Sequence, residues 1–103
     1  MSEVERLLEH YVKGVRFPEA SGFEVLELLD VRSKLAAQEA ELNWTQRAQL
    51  EDADSTFIRH APMFRESLAA LGDLSELRSR ARASCSHWWW YLEKLARVEL
   101  VHT

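Results

Sequence analysis

Residues 2–15 read SEVERLLEHYVKGV, and this stretch decides the fold class. Val4, Leu7, Leu8, Tyr11, Val12 and Val15 recur at steps of three and four. A helix turning about 100° per residue places all six on one face. Ser2 and Glu5 form an S-x-x-E capping box, in which the Ser oxygen takes one orphan N–H and the Glu side chain returns the bond. Pro18 and Gly22 punctuate the link that follows.

The same start signal recurs further along. Ser21 and Glu24 open a second helix from about Gly22 towards Glu39. Its apolar residues Phe23, Val25, Leu26, Leu28, Leu29 and Val31 are denser than one stripe requires, so it is expected to pack on two sides. Asn43 and Gln46 open a third through Leu50, Ala53, Phe57 and Ile58, with Trp44 at its first position. Pro62 fits the first turn of a fourth, whose missing N–H costs nothing there. Asp73 and Glu76 begin a fifth through Leu74, Leu77 and Ala81. Ser84 or Ser86 caps a sixth that carries Trp88 to Leu100. The expectation is an all-α single domain over residues 1–103, a compact bundle of five or six short helices. Its expected core is Leu7, Leu8, Tyr11, Phe23, Leu26, Leu29, Phe57, Phe64, Leu68, Trp88 and Leu92.

Composition agrees. A chain of 103 residues with 47% apolar and 29% charged residues is ordinary globular material. Three Gly and two Pro are few for an all-β chain. The net charge of −4 argues against nucleic acid, because phosphate neutralisation needs an excess of Lys and Arg. Residues 1–73 carry 8 basic and 14 acidic groups, and residues 74–103 carry 5 and 3, so the later part is slightly basic. Cys85 is the single cysteine, which leaves no internal disulfide. No apolar run approaches the roughly 20 residues of a membrane span. A cytoplasmic protein with no membrane partner is expected.

Trp88, Trp89, Trp90 and Tyr91 are four consecutive large aromatics. On an α-helix they point in four directions, whereas a surface helix hides one face. Either the helix threads the middle of the fold or some rings meet another molecule. A mixture is expected, with two rings inward and at least one outward. An extended segment would instead pair Trp88 with Trp90 and Trp89 with Tyr91.

Catalytic and metal patterns are weak. Asp52, Asp54 and Thr56 spell D-x-D-x-T, but phosphotransferases of the haloacid-dehalogenase type need that motif at the end of a buried parallel strand, and here it falls in a polar helix. His10, His60, His87 and His102 form no H-x-x-H, H-x-x-x-H or E-x-x-H pair. Glu24, Glu27 and Asp30 make an acidic row that a solvated helix face explains. Cys85 lies near His87 without a third orienting group. No metal, cofactor or catalytic residue is expected.

Residues 41–54, ELNWTQRAQLEDAD, together with residues 87–96, HWWWYLEKLA, resemble a group of short uncharacterised cyanobacterial proteins. Those also pair a capped polar helix with a late Trp-rich segment. The resemblance covers about a third of the chain and implies no activity.

The function expected from these residues is protein–protein association, as an adaptor, regulatory partner or assembly factor, with a homodimer as one form. The interface candidates are Trp88, Trp89, Trp90, Tyr91, Arg78, Arg80 and Arg82. Aromatic burial around Trp89 and Trp90 would supply the contact, and Arg80 and Arg82 would guide an acidic partner. One alternative is a small helical enzyme or ligand carrier using His87, Cys85 and Tyr91. Another is a nucleic-acid-binding regulator using Arg78, Arg80, Arg82, Lys94 and Arg97.

Overall fold

The computed structural model describes residues 2–95. Among them are five α-helices: α1 (Glu3–Val15), α2 (Gly22–Ala37), α3 (Trp44–Arg59), α4 (Ala61–Ala69) and α5 (Leu74–Ala81). Two 3₁₀ turns, Glu39–Glu41 and Trp88–Trp90, and an α-helical stretch at 92–95 are also present, and no strand occurs among the described residues. The protein is an all-α bundle. No helix among the described residues is long and apolar enough to cross a membrane.

The starts follow the side chains that cap them. Ser2 Oγ accepts from the Glu5 amide, Ser21 Oγ from the Glu24 amide, and Asp73 Oδ1 from the Ser75 amide. At α3 the box is complete: Asn43 Oδ1 accepts from the Gln46 amide at 2.8 Å, and Gln46 Oε1 accepts from the Asn43 amide at 3.0 Å. Each bond satisfies a donor that the helix itself leaves free.

α1 packs on α2 and α3, α2 also packs on α4 and the Trp turn, and α4 returns against α3. The close approach of α1 and α2 rests on Gly14, where a Cβ would lie 2.5 Å from Leu28 Cδ1. α2 meets α4 through Gly22, where a Cβ would lie 2.6 Å from the Ser67 carbonyl oxygen. With neighbours on two sides, α2 buries Val25, Leu28, Leu29, Val31, Arg32 and Leu35, as its dense apolar pattern foretold.

α3 and α4 are separate helices bent at His60, which has φ −94° and ψ 3° and closes one as it opens the other. His60 Nδ1 donates to the Val15 carbonyl at 2.8 Å, tying this corner to the end of α1. A carbonyl only accepts, so the proton sits on Nδ1. At the centre Phe57 stacks on Phe64 at 5.2 Å and meets the edge of Trp88 at 5.8 Å.

Two expectations are corrected. Phe23 is not in the core; it is 73% exposed. Gly22 faces α4, and one helical step turns Phe23 onto the outer stripe with Glu27, Asp30 and Lys34, all exposed. Trp88–Trp90 is a 3₁₀ turn and not the opening of an α-helix. α-Helical structure resumes only at 92–95, and the rest of the expected helix, to Leu100, lies outside the described residues.

Candidate interaction surfaces and the aromatic turn

One polar network runs through the apolar core, and three helices supply it. Arg32, only 4% exposed, sits on the inward face of α2. Its Nε and Nη2 donate to the two carboxylate oxygens of Asp54 on α3, at 2.9 and 3.0 Å. Tyr11, from α1, donates its hydroxyl to Asp54 Oδ1 at 2.6 Å. Glu39 adds a looser contact, with Oε1 3.7 Å from Arg32 Nη2. Such a two-pronged pair satisfies much of what burial takes from each ion.

The ionisation of the network follows. Burial first, then the Asp54 charge and hydrogen bond, push the Tyr11 hydroxyl far above its ordinary range, so it stays a donor. Burial pulls Arg32 down, but the bonds and charge of Asp54, helped by Tyr11 and Glu39, outweigh it and leave Arg32 raised. The guanidinium carbon lies 4.3 Å from the ring centre of Trp89 and 5.8 Å from those of Trp88 and Tyr11. Arg32 Nη1 has no hydrogen-bond partner among the described residues. Aromatic faces are the neighbours that the guanidinium's π-stacking suits.

The Trp turn is the roof of this network. Trp89 and Trp90 both donate their indole N–H groups to Ser33 Oγ at 3.0 Å. Both rings are 3% exposed. They are therefore core residues, and the exposed aromatic surface expected around them is not found at these two rings. Neighbouring residues in a 3₁₀ turn are about 120° apart, yet both indole N–H groups reach the same oxygen on α2. Trp88 is half-buried, and so is Tyr91, which lies under Arg78 at 4.5 Å and Lys94 at 5.1 Å.

The three candidate arginines separate. Arg78 is a clamp: Nη1 donates to both oxygens of Glu93, at 2.7 and 2.9 Å, and to the Trp90 carbonyl at 3.2 Å. Arg80 is exposed, 3.6 Å from Glu76. Arg82 is exposed and makes no ion pair among the described residues. Arg80 and Arg82 share a cleft between α2 and α5 whose floor includes Trp90. With Arg78 held by Glu93, a phosphate-binding stripe loses its first member. Arg97 lies outside the described residues.

The enzyme candidates do not converge. His87 stacks on Trp89 at 4.6 Å, Cys85 is exposed, and Tyr91 lies beneath Arg78. Neither cleft beside His87 is lined by Cys85 or Tyr91. Thr56 Oγ1 donates to the Asp52 carbonyl one turn back, so the D-x-D-x-T residues lie along a helix. No group of three or more His, Cys, Asp or Glu among the described residues is placed to hold a metal.

Among the described residues, the large apolar side chains that do face solvent are Phe17 (69%), Phe23, Met63 and Trp44 (91%). Two of them, Phe17 and Phe23, lie in or beside the α1–α2 link, and Met63 lies on the helix to which the ends of that link are tied. The link is pinned at its start by the bond from His60 to Val15 and at its end by Gly22 against Ser67. Phe17 lies inside it and Phe23 just beyond it. Met63 sits on α4 between His60 and Ser67. Phe17 lies outside the periodic apolar pattern of α1, and Phe23 follows Gly22, whose close approach to α4 leaves the next side chain turned outward. Comparison with known protein families, with curated proteins and with solved structures finds no match.

Proposed function

We propose that this chain is a small protein-association module whose contact surface surrounds the α1–α2 link. A second copy of the chain is its first partner. The observation that carries this reading is the exposure of Phe17 and Phe23 at one short segment, with exposed Met63 on the helix to which its ends are tied. Single exposed apolar residues are ordinary, whereas several gathered about one segment favour contact.

Charge speaks for a second copy. A two-fold interface sets one patch against itself, so a patch of one sign repels its twin. Here the exposed residues near the link carry both signs: Arg16 and Arg59 with Glu19 and Glu66. Exposed phenylalanines accompanied by charges of both signs have the composition of an association surface.

Absolute mass by light scattering, followed over a wide range of protein concentration, tests this. The expected mass rises from 12.0 kDa towards twice that value, and Phe17→Ser with Phe23→Ser holds it at the monomer. A monomer at every concentration overturns self-association. So does a dimer that the double substitution leaves intact.

A further inference from the structure

We infer that the cleft between α2 and α5 binds a small organic carboxylate with an apolar body. Its volume is about 430 Å³, within the size of small-molecule sites. Half-buried Leu26 and Leu77 form its apolar walls, with Trp90 beneath them. Trp90 spends its only polar group on Ser33, so it offers the cleft nothing but carbon. Arg80 and Arg82 also line it, Arg80 beside Glu76 and Arg82 in no ion pair among the described residues, and a forked guanidinium matches a carboxylate.

The backbone at Arg82 is the second observation. It ends α5 in the left-handed conformation, with φ 54° and ψ 41°, and is the one non-glycine residue with positive φ among those described. Glycine adopts that conformation freely, while an arginine pays for its Cβ there. What the strained position delivers is a cation, in no ion pair among the described residues, to the lining of a cleft with apolar Leu26, Leu77 and Trp90. Strain of this kind clusters where a side chain must be held for binding.

The head group follows from Asp30, which lines the same cleft. Its carboxylate is held by Lys34 at 3.2 Å, yet it still opposes a doubly charged head more than a singly charged one. A carboxylate is therefore preferred over a phosphate. This site stands apart from the proposed self-association surface, and neither depends on the other.

Amide and indole NMR shifts of the full chain, titrated with hexanoate, hexan-1-ol or inorganic phosphate, test the inference. Hexanoate is expected to move Leu26, Leu77 and the Trp90 indole, with the alcohol and phosphate binding at least several-fold more weakly. Arg82→Gly is expected to weaken hexanoate by roughly three- to tenfold, the size of one exposed charge-assisted bond. The same substitution is expected to raise the thermal midpoint, because glycine relaxes the turn. A merely structural Arg82 would leave hexanoate binding unchanged. That result overturns the inference, as do equal binding of acid and alcohol, tighter binding of phosphate, or no shift at these residues.

Discussion

Arg32 and Asp54, 22 residues apart in the chain, meet through two parallel hydrogen bonds of 2.9 and 3.0 Å beneath a roof of tryptophan. Replacing one partner leaves the other buried and unpaired. Asp54→Ala is expected to cost about 3–5 kcal/mol by urea denaturation, whereas Arg32→Met with Asp54→Leu costs much less. A double variant that is less stable than Asp54→Ala alone would show that the pair contributes net stability.

Ser33→Ala removes the single acceptor on which both indoles depend. Leaving buried donors unsatisfied costs about 1–3 kcal/mol each. The expected loss is therefore at least about 2 kcal/mol, with a changed tryptophan emission in the folded state. A loss of a few tenths would mean that the two indoles find other acceptors.

The raised ionisation of Tyr11 sets an alkaline limit. The unfolded chain releases this proton near its ordinary value of 10.0, while the folded chain keeps it. The contribution is complete below that pH and is lost progressively as pH rises from it towards the higher value of the folded chain. The slope approaches about 1.4 kcal/mol per pH unit. Stability followed by urea titration between pH 9 and 11 should fall more steeply for the parent than for Tyr11→Phe. Equal slopes would show that Tyr11 ionises freely in the folded chain.

The two close helix contacts differ in what a methyl group would strike. At Gly22 it meets the Ser67 backbone oxygen, which moves only with α4. Gly22→Ala is expected to cost about 1–3 kcal/mol. At Gly14 it meets the end of the Leu28 side chain, which can rotate, and alanine gains about 1 kcal/mol of helix propensity. Gly14→Ala should therefore fall near neutral, and calorimetry of both variants orders them.

Phe23→Ser is expected to change stability by less than about 0.5 kcal/mol, as at an exposed site, while Phe57→Ala costs about 3–5 kcal/mol. A large loss at Phe23 would return that ring to the core.

The helix starts were legible because capping is local: Ser2, Ser21, Asn43 and Asp73 each sit next to the helix they begin. The two-sided burial of α2 was legible in its density of apolar residues. The orientation of the aromatics was not. Fanning them at about 100° per residue presumed an α-helix, and a 3₁₀ turn aims successive rings differently. The Arg32–Asp54 pair left no local trace, since its residues read separately as a charge in an apolar helix and a carboxylate in a polar one. Phe23 was misplaced because composition shows how apolar a helix is, while its neighbours decide which side they cover.

The roof over Arg32 also bears on the order in which the molecule can be made. Tyr11, Arg32 and Asp54 emerge from synthesis before Trp88, Trp89 and Trp90. Until those rings arrive, the ion pair forms in contact with water, which weakens it and lets it rearrange cheaply. Once the indoles reach Ser33, the pair is sealed and its register is fixed. The side chains that close over the pair thus come from the last part of the described chain, while the pair itself comes from the first three helices.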